Sequence, residues 1–253
     1  MSPSQPTIVY IIGATATGKG TLGKRLATHF GFYHISLGEK RRSYGNAIRA
    51  ELPSMSEAVR RCIQGGTAIP EDILQQYDPV PATLRYHNLL VGNHKRWSAE
   101  LASMIIDEEL AKARALEAER GGEYTGIIID GHPVTEGQIS HRVIEAYKQA
   151  FSGLSIVIES PREVAQQRYL SRARLVIEDS TRFESRMKTT DKVLPGFIES
   201  MKGYGEVVFS TNDGTMTIDD AYHALLGELD KNSKVWHTLK ERSWTVARVG
   251  PGK

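Results

Sequence analysis

The sequence has little of anything that would place it in a specialised class. Only one of its 253 residues, Cys62, is a cysteine. No internal disulfide or multi-thiolate zinc site is therefore possible, and Cys62 reads as a small buried apolar residue in a reducing compartment. Neither sign of charge dominates: 32 Lys and Arg stand against 30 Asp and Glu, a net charge of +2. No broad field then advertises a nucleic acid or a membrane as partner, and an anionic ligand must be held by a local cluster. Long apolar runs are missing as well. The first, Ile8 to Ile12, stops at Gly13, far short of the roughly 18 residues of a membrane span. Met1 to Thr7 is short, polar and Pro-containing, unlike a signal peptide. The expectation is a soluble, cytoplasmic monomer with no membrane or nucleic-acid partner. At 40% hydrophobic and 25% charged, the composition is that of a globular protein and excludes disorder and collagen-like structure.

What is present is an alternation of buried strands and helices. Ile8 to Ile12 is a continuous β-branched and aromatic run ending in a glycine turn, the pattern of a strand covered on both faces. From Lys19 to Phe30 the spacing turns helical, with Leu22, Leu26 and Phe30 on one face. Further buried strands are predicted over Gly126–Ile129, Leu154–Ile158 and Glu206–Ser210, with helices over Arg162–Arg172, Thr181–Lys192 and Ile218–Leu229. Strands separated by helices predict a three-layer α/β/α fold with a central parallel sheet, ligands sitting at the carboxyl ends of the strands. The interval from Ser36 to Tyr124 differs in texture, holding Pro53, Gly65-Gly66, Pro70 and Asp78-Pro79-Val80-Pro81. It is expected to be an inserted region of short helices, ending in one long helix from Ser98 to Arg120 in which Glu108 pairs with Lys112. The predicted organisation is one domain: a core over 6–35 and 123–230, an inserted region over 36–122, and a C-terminal extension over 231–253. That extension carries Trp236, His237 and Trp244 among basic residues. It reads either as a strap packed on the core or on a second subunit, or as a surface on which RNA bases could stack.

The strongest chemical signal is Gly13-Ala14-Thr15-Ala16-Thr17-Gly18-Lys19-Gly20-Thr21, which satisfies G-x-x-x-x-G-K between a predicted strand and a predicted helix. Glycines there let successive N–H groups turn inward, and the helix N-terminus adds about half a positive charge. Lys19 can reach the terminal phosphates of a nucleotide as a mobile cation. The hydroxyl usual after the lysine is displaced by one place, to Thr21, so Mg²⁺ must lean on another ligand. Asp130, at the end of a buried strand, can hold that hydrated cation through water; its alternative role is a turn residue in Asp-Gly.

With that loop, several segments resemble the nucleoside monophosphate kinases, the adenylate kinase and UMP/CMP kinase family. Gly18 to Thr21 matches its G-K-G-T, and Phe32 to Arg42, FYHISLGEKRR, resembles Y-x-H-[LI]-S-x-G-[DE]-L-L-R. Gly66 to Pro70 resembles G-x-[LI]-V-P, and Ile128 to Pro133 resembles L-[LI]-D-G-[FY]-P. Arg168 to Arg172 resembles R-x-x-x-R, and Arg186 resembles a closing arginine. The likeness runs in order from about Pro6 to Leu229. It implies transfer of the γ-phosphoryl of ATP, with Mg²⁺, to a nucleoside monophosphate, AMP being the expected acceptor, a reaction carried mostly by positioning and charge neutralisation. It further implies that Lys19, Arg168, Arg172, Arg186 and Asp130 are catalytic, and that residues 13–21 hold the donor phosphates. Asp130 and Thr21 would serve the metal. Ser36, Leu37, Arg42, Ala68, Ile69, Gly131 and Gln138 would form the acceptor site, with Arg42 on its phosphate and Gln138 on its base. The lid, about 172–186, is of the short kind. A nucleotide-binding relative with a regulatory role, or a P-loop kinase of another small molecule, would share the donor half.

The departures concern the acceptor. Val134 stands where the family carries an arginine that grips the acceptor phosphate, His132 replaces the aromatic, Leu37 replaces the adenylate kinases' threonine, and Glu39 is the choice of the pyrimidine kinases. Extra sequence between Pro70 and the long helix includes Lys95 and Arg96, which either replace the lost arginine or face solvent. Loss of one bidentate Arg–phosphate contact is worth roughly 1.5–3 kcal/mol. The acceptor is therefore expected to show a raised KM beside an ordinary ATP KM, and Val134→Arg to tighten the acceptor selectively. Steady-state kinetics check this. Unchanged acceptor binding in Val134→Arg, with loss of binding in Lys95→Ala or Arg96→Ala, would place the contact in the inserted segment instead.

Overall fold

The computed structural model describes residues 7–92, 99–120, 124, 126–131, 153–171 and 180–248. The run Ile8–Ile12 is strand β1, buried at all five residues, and Lys19–Phe30 is helix α1. A short strand β2 follows at Tyr33–Ser36 and leads without a break into helix α2, Leu37–Glu51. The intervening region is helical: α3 at Glu57–Gly65, a single turn α4 at Glu71–Leu74, α5 at Ala82–Gly92 and α6 at Ala99–Arg120. Strands β3, Ile127–Asp130, and β4, Leu154–Glu159, precede α7 at Arg162–Ser171 and α8 at Ser180–Lys202. Strand β5, Glu206–Thr211, and helices α9, Ile218–Asn232, and α10, Lys234–Arg248, complete the described chain.

The five strands form one parallel sheet in the order β2-β3-β1-β4-β5. Alternate residues of each strand feed opposite faces. Val9, Ile11, Ile128, Ile156 and Val208 pack under α1, α9 and α10, whereas Tyr10, Ile12, Ile35, Ile129 and Val157 pack under α2, α5, α6 and α8. The central sheet is therefore covered on both sides, the three-layer α/β/α arrangement that continuous β-branched runs predict. The adjacent strands β1 and β3 send their chains in opposite directions, β1 towards β2 and β3 towards β4. That opens a crevice at their carboxyl ends, where such sheets bind ligands. Register sets Asp130 level with Ser36 on one side and Ile11 on the other.

Several sequence-based expectations are corrected. Strand β2 is not announced by periodicity, since Tyr33 and His34 are polar and only half-buried. Helix α8 runs on to Lys202 through Pro195, because Val193, Phe197 and Met201 are buried against the sheet and hold its second half in place. Glu108 does not pair with Lys112. It is drawn across to Arg85 of α5, at 2.8 Å, and accepts a hydrogen bond from the Tyr44 hydroxyl, leaving Lys112 to the i−3 residue Glu109 at 2.7 Å. Burial pushes the Glu109 carboxyl up, but Lys112 and Lys40 outweigh it and hold that group below the usual range. The Lys40–Glu109 pair, 2.8 Å, fixes the start of α2 on α6. Cys62 is half-buried rather than enclosed, beside Val59, Ile69, Leu74 and Leu84.

The C-terminal helices lie on the core. Trp236 is buried edge-on to Phe30 of α1, with ring centroids 4.7 Å apart, and its Nε1 donates to Asp230 at 2.9 Å. Glu206 of β5 accepts from the first N–H groups of α10, at Lys234 and Val235, answering the unpaired donors of that helix end. Trp236 thus offers no face on which a base could stack.

Candidate active site

Strand β1 ends at Gly13, whose φ of +139° suits glycine alone, and a Cβ there would stand 2.2 Å from the Ile158 carbonyl oxygen. The chain can pass so close to β4 only without a side chain. Beyond it the loop curls through positive φ at Ala16 and Gly18 into α1. Helix α1 begins with no side-chain cap and no acid in its first turn. By contrast, α9 has a complete capping box from Thr217 and Asp220. The leading N–H groups of α1 therefore lack the usual side-chain acceptor, which is how a helix end receives an anion. Lys19, the first residue of the helix, folds back to donate to the Ala14 carbonyl, and Thr17 donates to the same oxygen at 3.1 Å.

Asp130, buried at the end of β3, faces this loop: a Cβ on Gly20 would lie 3.7 Å from its Oδ2. His34 of β2 holds that same oxygen at 2.6 Å through Nε2. Among the described residues no group of three or more His, Cys, Asp or Glu is placed to hold a metal ion. The buried Asp130 carboxylate and the exposed Thr21 line the same cavity, a donor set that fits a hydrated cation carried in on phosphates.

Loop, Asp130 and several arginines share one cavity of about 880 Å³. Gly13, Thr15, Ala16, Gly18, Lys19, Gly20 and Thr21 line it, as do Ser36, Leu37, Arg42, Gly131 and Arg186. The Arg186 guanidinium lies over the Tyr169 ring, 5.4 Å from its centroid, in cation–π range. Arg168 stands behind the cavity wall, donating to Asn212 Oδ1 at 2.8 Å and to Ser160 at 3.4 Å. Ala68 is exposed and Ile69 is buried in the separate cluster around Val59 and Leu84. Neither is among the residues lining the cavity. Arg172 and Gln138, with Val134, Lys95 and Arg96, lie outside the described residues.

Three residues that the sequence did not single out belong here. His34 orients Asp130. Arg41 lines the cavity beside Arg42. Asn212 joins two halves of the site, since its Nδ2 donates to the Thr17 carbonyl at 3.2 Å while its Oδ1 receives Arg168. Its position just past the end of β5, at the ligand-binding edge of a parallel sheet, was the available signal.

No family model matches the chain. Over 110 residues it is 30% identical to a cytidylate kinase of Rhodopseudomonas palustris, covering 40% of this chain and 52% of the relative. It is 24% identical over 229 residues to adenylate kinase isoenzyme 1 of Gallus gallus, covering 88% and 94%. A uridylate kinase of Saccharomyces cerevisiae is 28% identical over 72 residues, 28% and 34% of the two chains. The matched segment thus spans about half of the cytidylate kinase and a third of the uridylate kinase. These relatives are nucleoside monophosphate kinases with three different acceptor bases in their names. Among the described residues no helix is long and apolar enough to cross a membrane.

Asn212→Asp keeps an acceptor for Arg168, removes the donor to Thr17 and sets a negative charge beside the loop. ATP affinity is expected to fall about tenfold or more, the scale of one charge-assisted contact, with the fold retained. Calorimetric titration with ATP checks it; unchanged affinity would reduce Asn212 to a turn residue.

Proposed function

From the similarity of this chain to the nucleoside monophosphate kinases, we propose that it transfers the γ-phosphoryl group of ATP, with Mg²⁺, to a nucleoside monophosphate. The observation that carries this reading is one cavity lined by a helix N-terminus without a side-chain cap, by Lys19, by the buried Asp130 carboxylate and by Arg42 and Arg186. At about 880 Å³ it is near the top of the range of roughly 300–1,000 Å³ for small-molecule sites, as two ligands meeting end to end require. AMP is the proposed acceptor, in the reaction ATP + AMP = 2 ADP, supported by similarity along 94% of an adenylate kinase. Nucleotides are the proposed partners, and the proposed setting is the cytoplasm with the chain as monomer.

In this proposal the N–H groups of residues 13–21 hold the donor phosphates, and Lys19 leaves the Ala14 carbonyl to follow the migrating group. Arg42 holds the acceptor phosphate. Arg186, steadied by Tyr169, neutralises charge between the two, while Arg168 fixes the loop through Asn212. Asp130 and the Thr21 hydroxyl are the residues that would hold Mg²⁺, which when bound offsets phosphate charge and aligns the oxygens. Arg172, Gln138, Ala68 and Ile69 keep the roles the resemblance gives them as proposals. The wall position of Arg168 and the separate burial of Ile69 imply that both act from behind the site. The organisation into core, inserted region, short lid and extension is proposed on the same basis.

A coupled assay with Mg-ATP against AMP, CMP, UMP and GMP tests this directly: ADP formation with one or more acceptors supports it. A second reading, a nucleotide-binding relative without efficient transfer, has Val134 in its favour and would show ATP binding with no transfer to any of them.

Two variants separate the donor roles. Lys19→Met is expected to lower transfer by on the order of 10²-fold or more, with an unchanged circular dichroism spectrum; transfer within a few-fold of the parent would sink its assignment. Asp130→Asn is expected to shift the Mg²⁺ titration of turnover to higher concentration more than it weakens ATP binding. An unchanged metal requirement would return Asp130 to the turn.

A further inference from the structure

The acceptor side of the cavity carries more positive charge than the resemblance accounts for. Arg41 and Arg42 stand side by side early in α2, and both line the cavity that the phosphate loop lines. From α8, Arg186 lines it too, and Arg182 lies one turn earlier on the same helix. Arg41 feels the other three guanidiniums. Burial lowers the pKa of Arg41, and Arg186 lowers it next, with Arg42 and Arg182 adding to the effect against an opposing contribution from Tyr86. An arginine stays charged through such a shift. Glu39 and Asp130 line the same cavity, so the guanidiniums are not its only charges, yet Arg41, Arg42 and Arg186 bring three of them to one space where an anion can be held from several directions.

The sequence around Arg41 sharpens this. The segment FYHISLGEKRR aligns with Y-x-H-[LI]-S-x-G-[DE]-L-L-R so that Arg42 takes the pattern's arginine and Arg41 takes its second leucine. A guanidinium thus stands where the pattern has an apolar side chain, in the same chain that has Val134 where an arginine is expected. Lys40 sets the direction of this turn, since its pair with the buried Glu109 pins one side of α2 to α6. The next two residues then fall on the cavity side.

We propose that Arg41 is an acceptor-side phosphate contact, supplying from α2 the guanidinium that Val134 does not provide. The assignment rests on the reading of the cavity as a two-nucleotide site. With Arg42 it makes a double arginine clamp on adjacent positions of one helix, able to take the oxygens of one phosphate group from two directions. Specificity for the anion would then come from α2 and leave the choice of base to other residues.

The test is a calorimetric titration of the full chain already saturated with Mg²⁺ and a non-hydrolysable ATP analogue, using AMP, CMP and UMP, and inorganic phosphate as the base-free probe. The parent, Arg41→Leu and Arg41→Lys are compared. Arg41→Leu is expected to lose about 10- to 100-fold in affinity for the monophosphate and for inorganic phosphate, while its affinity for the ATP analogue stays within a few-fold. Arg41→Lys is expected to recover part of the loss. A purely structural role would lower the melting temperature of the empty protein. The proposal requires the loss to be selective for the second anion, with the ATP analogue still bound and part of the affinity recovered in Arg41→Lys. Unchanged affinity for the second anion in Arg41→Leu would overturn the assignment, and so would failure of the parent to bind any second anion. Failure of the kinase reading would appear separately, as a parent that binds the second anion but forms no ADP from any monophosphate.

Discussion

The gathering of cations around one cavity at the carboxyl edge of the sheet is the constraint on which the rest of this structure depends. Lys19, Arg41, Arg42 and Arg186 line the same space, and in a chain of net charge +2 no general excess of basic residues accounts for that. Groups brought together in this way must be held by elements that are stable for other reasons. The parallel sheet supplies them. Its strands are buried on both faces, so the loops at their carboxyl ends rise from a rigid edge. Two of these cations are also tethered, Lys19 to the Ala14 carbonyl and Arg186 to the face of Tyr169.

Two buried contacts tie the site to the scaffold. Asn212, at the end of β5, joins the phosphate loop after β1 to Arg168 on α7, so the outer strand and the loop cannot move independently. His34 does the same between β2 and the Asp130 carboxylate of β3. The first reaches past β4 from the end of β5 to the loop after β1, and the second joins two paired strands near their carboxyl ends. The acceptor side is tied differently, through Lys40 and Glu109, which fix α2 against the long helix α6.

The parts legible in the sequence were those written in local pattern. Ile8 to Ile12, the glycine loop and α1 could be read from β-branched residues, glycine spacing and helical periodicity, and the three-layer sheet followed from their repetition. The parts that were not legible depend on tertiary contacts. Strand β2 is short and partly polar, and it is a strand because β3 pairs with it. Helix α8 outlasts Pro195 because Phe197 and Met201 have a sheet to cover. Glu108 abandons its i+4 partner because Arg85 and Tyr44 come from α5 and α2. Asn212 looked like a turn residue because its partners, Thr17 and Arg168, are distant in sequence. Arg41 is a mismatch inside an otherwise matching segment, and it meets Arg186 of α8 only where the fold brings both to one cavity.

The relatives differ in acceptor base while this chain resembles them all, and its own departures, Leu37, Glu39, Arg41 and Val134, fall on the acceptor side. On the proposed two-nucleotide reading, the phosphate loop keeps the family's pattern and the acceptor side is where this chain departs from it. The central claim is that one cavity seats two phosphate-bearing ligands at once. The most direct measurement is the stoichiometry of a calorimetric competition between a Mg²⁺-bound non-hydrolysable ATP analogue and AMP. Two independent sites per chain, each filled once, with AMP still bound when the analogue is saturating, is the predicted result. Displacement of AMP by the analogue, leaving one nucleotide per chain, would contradict it.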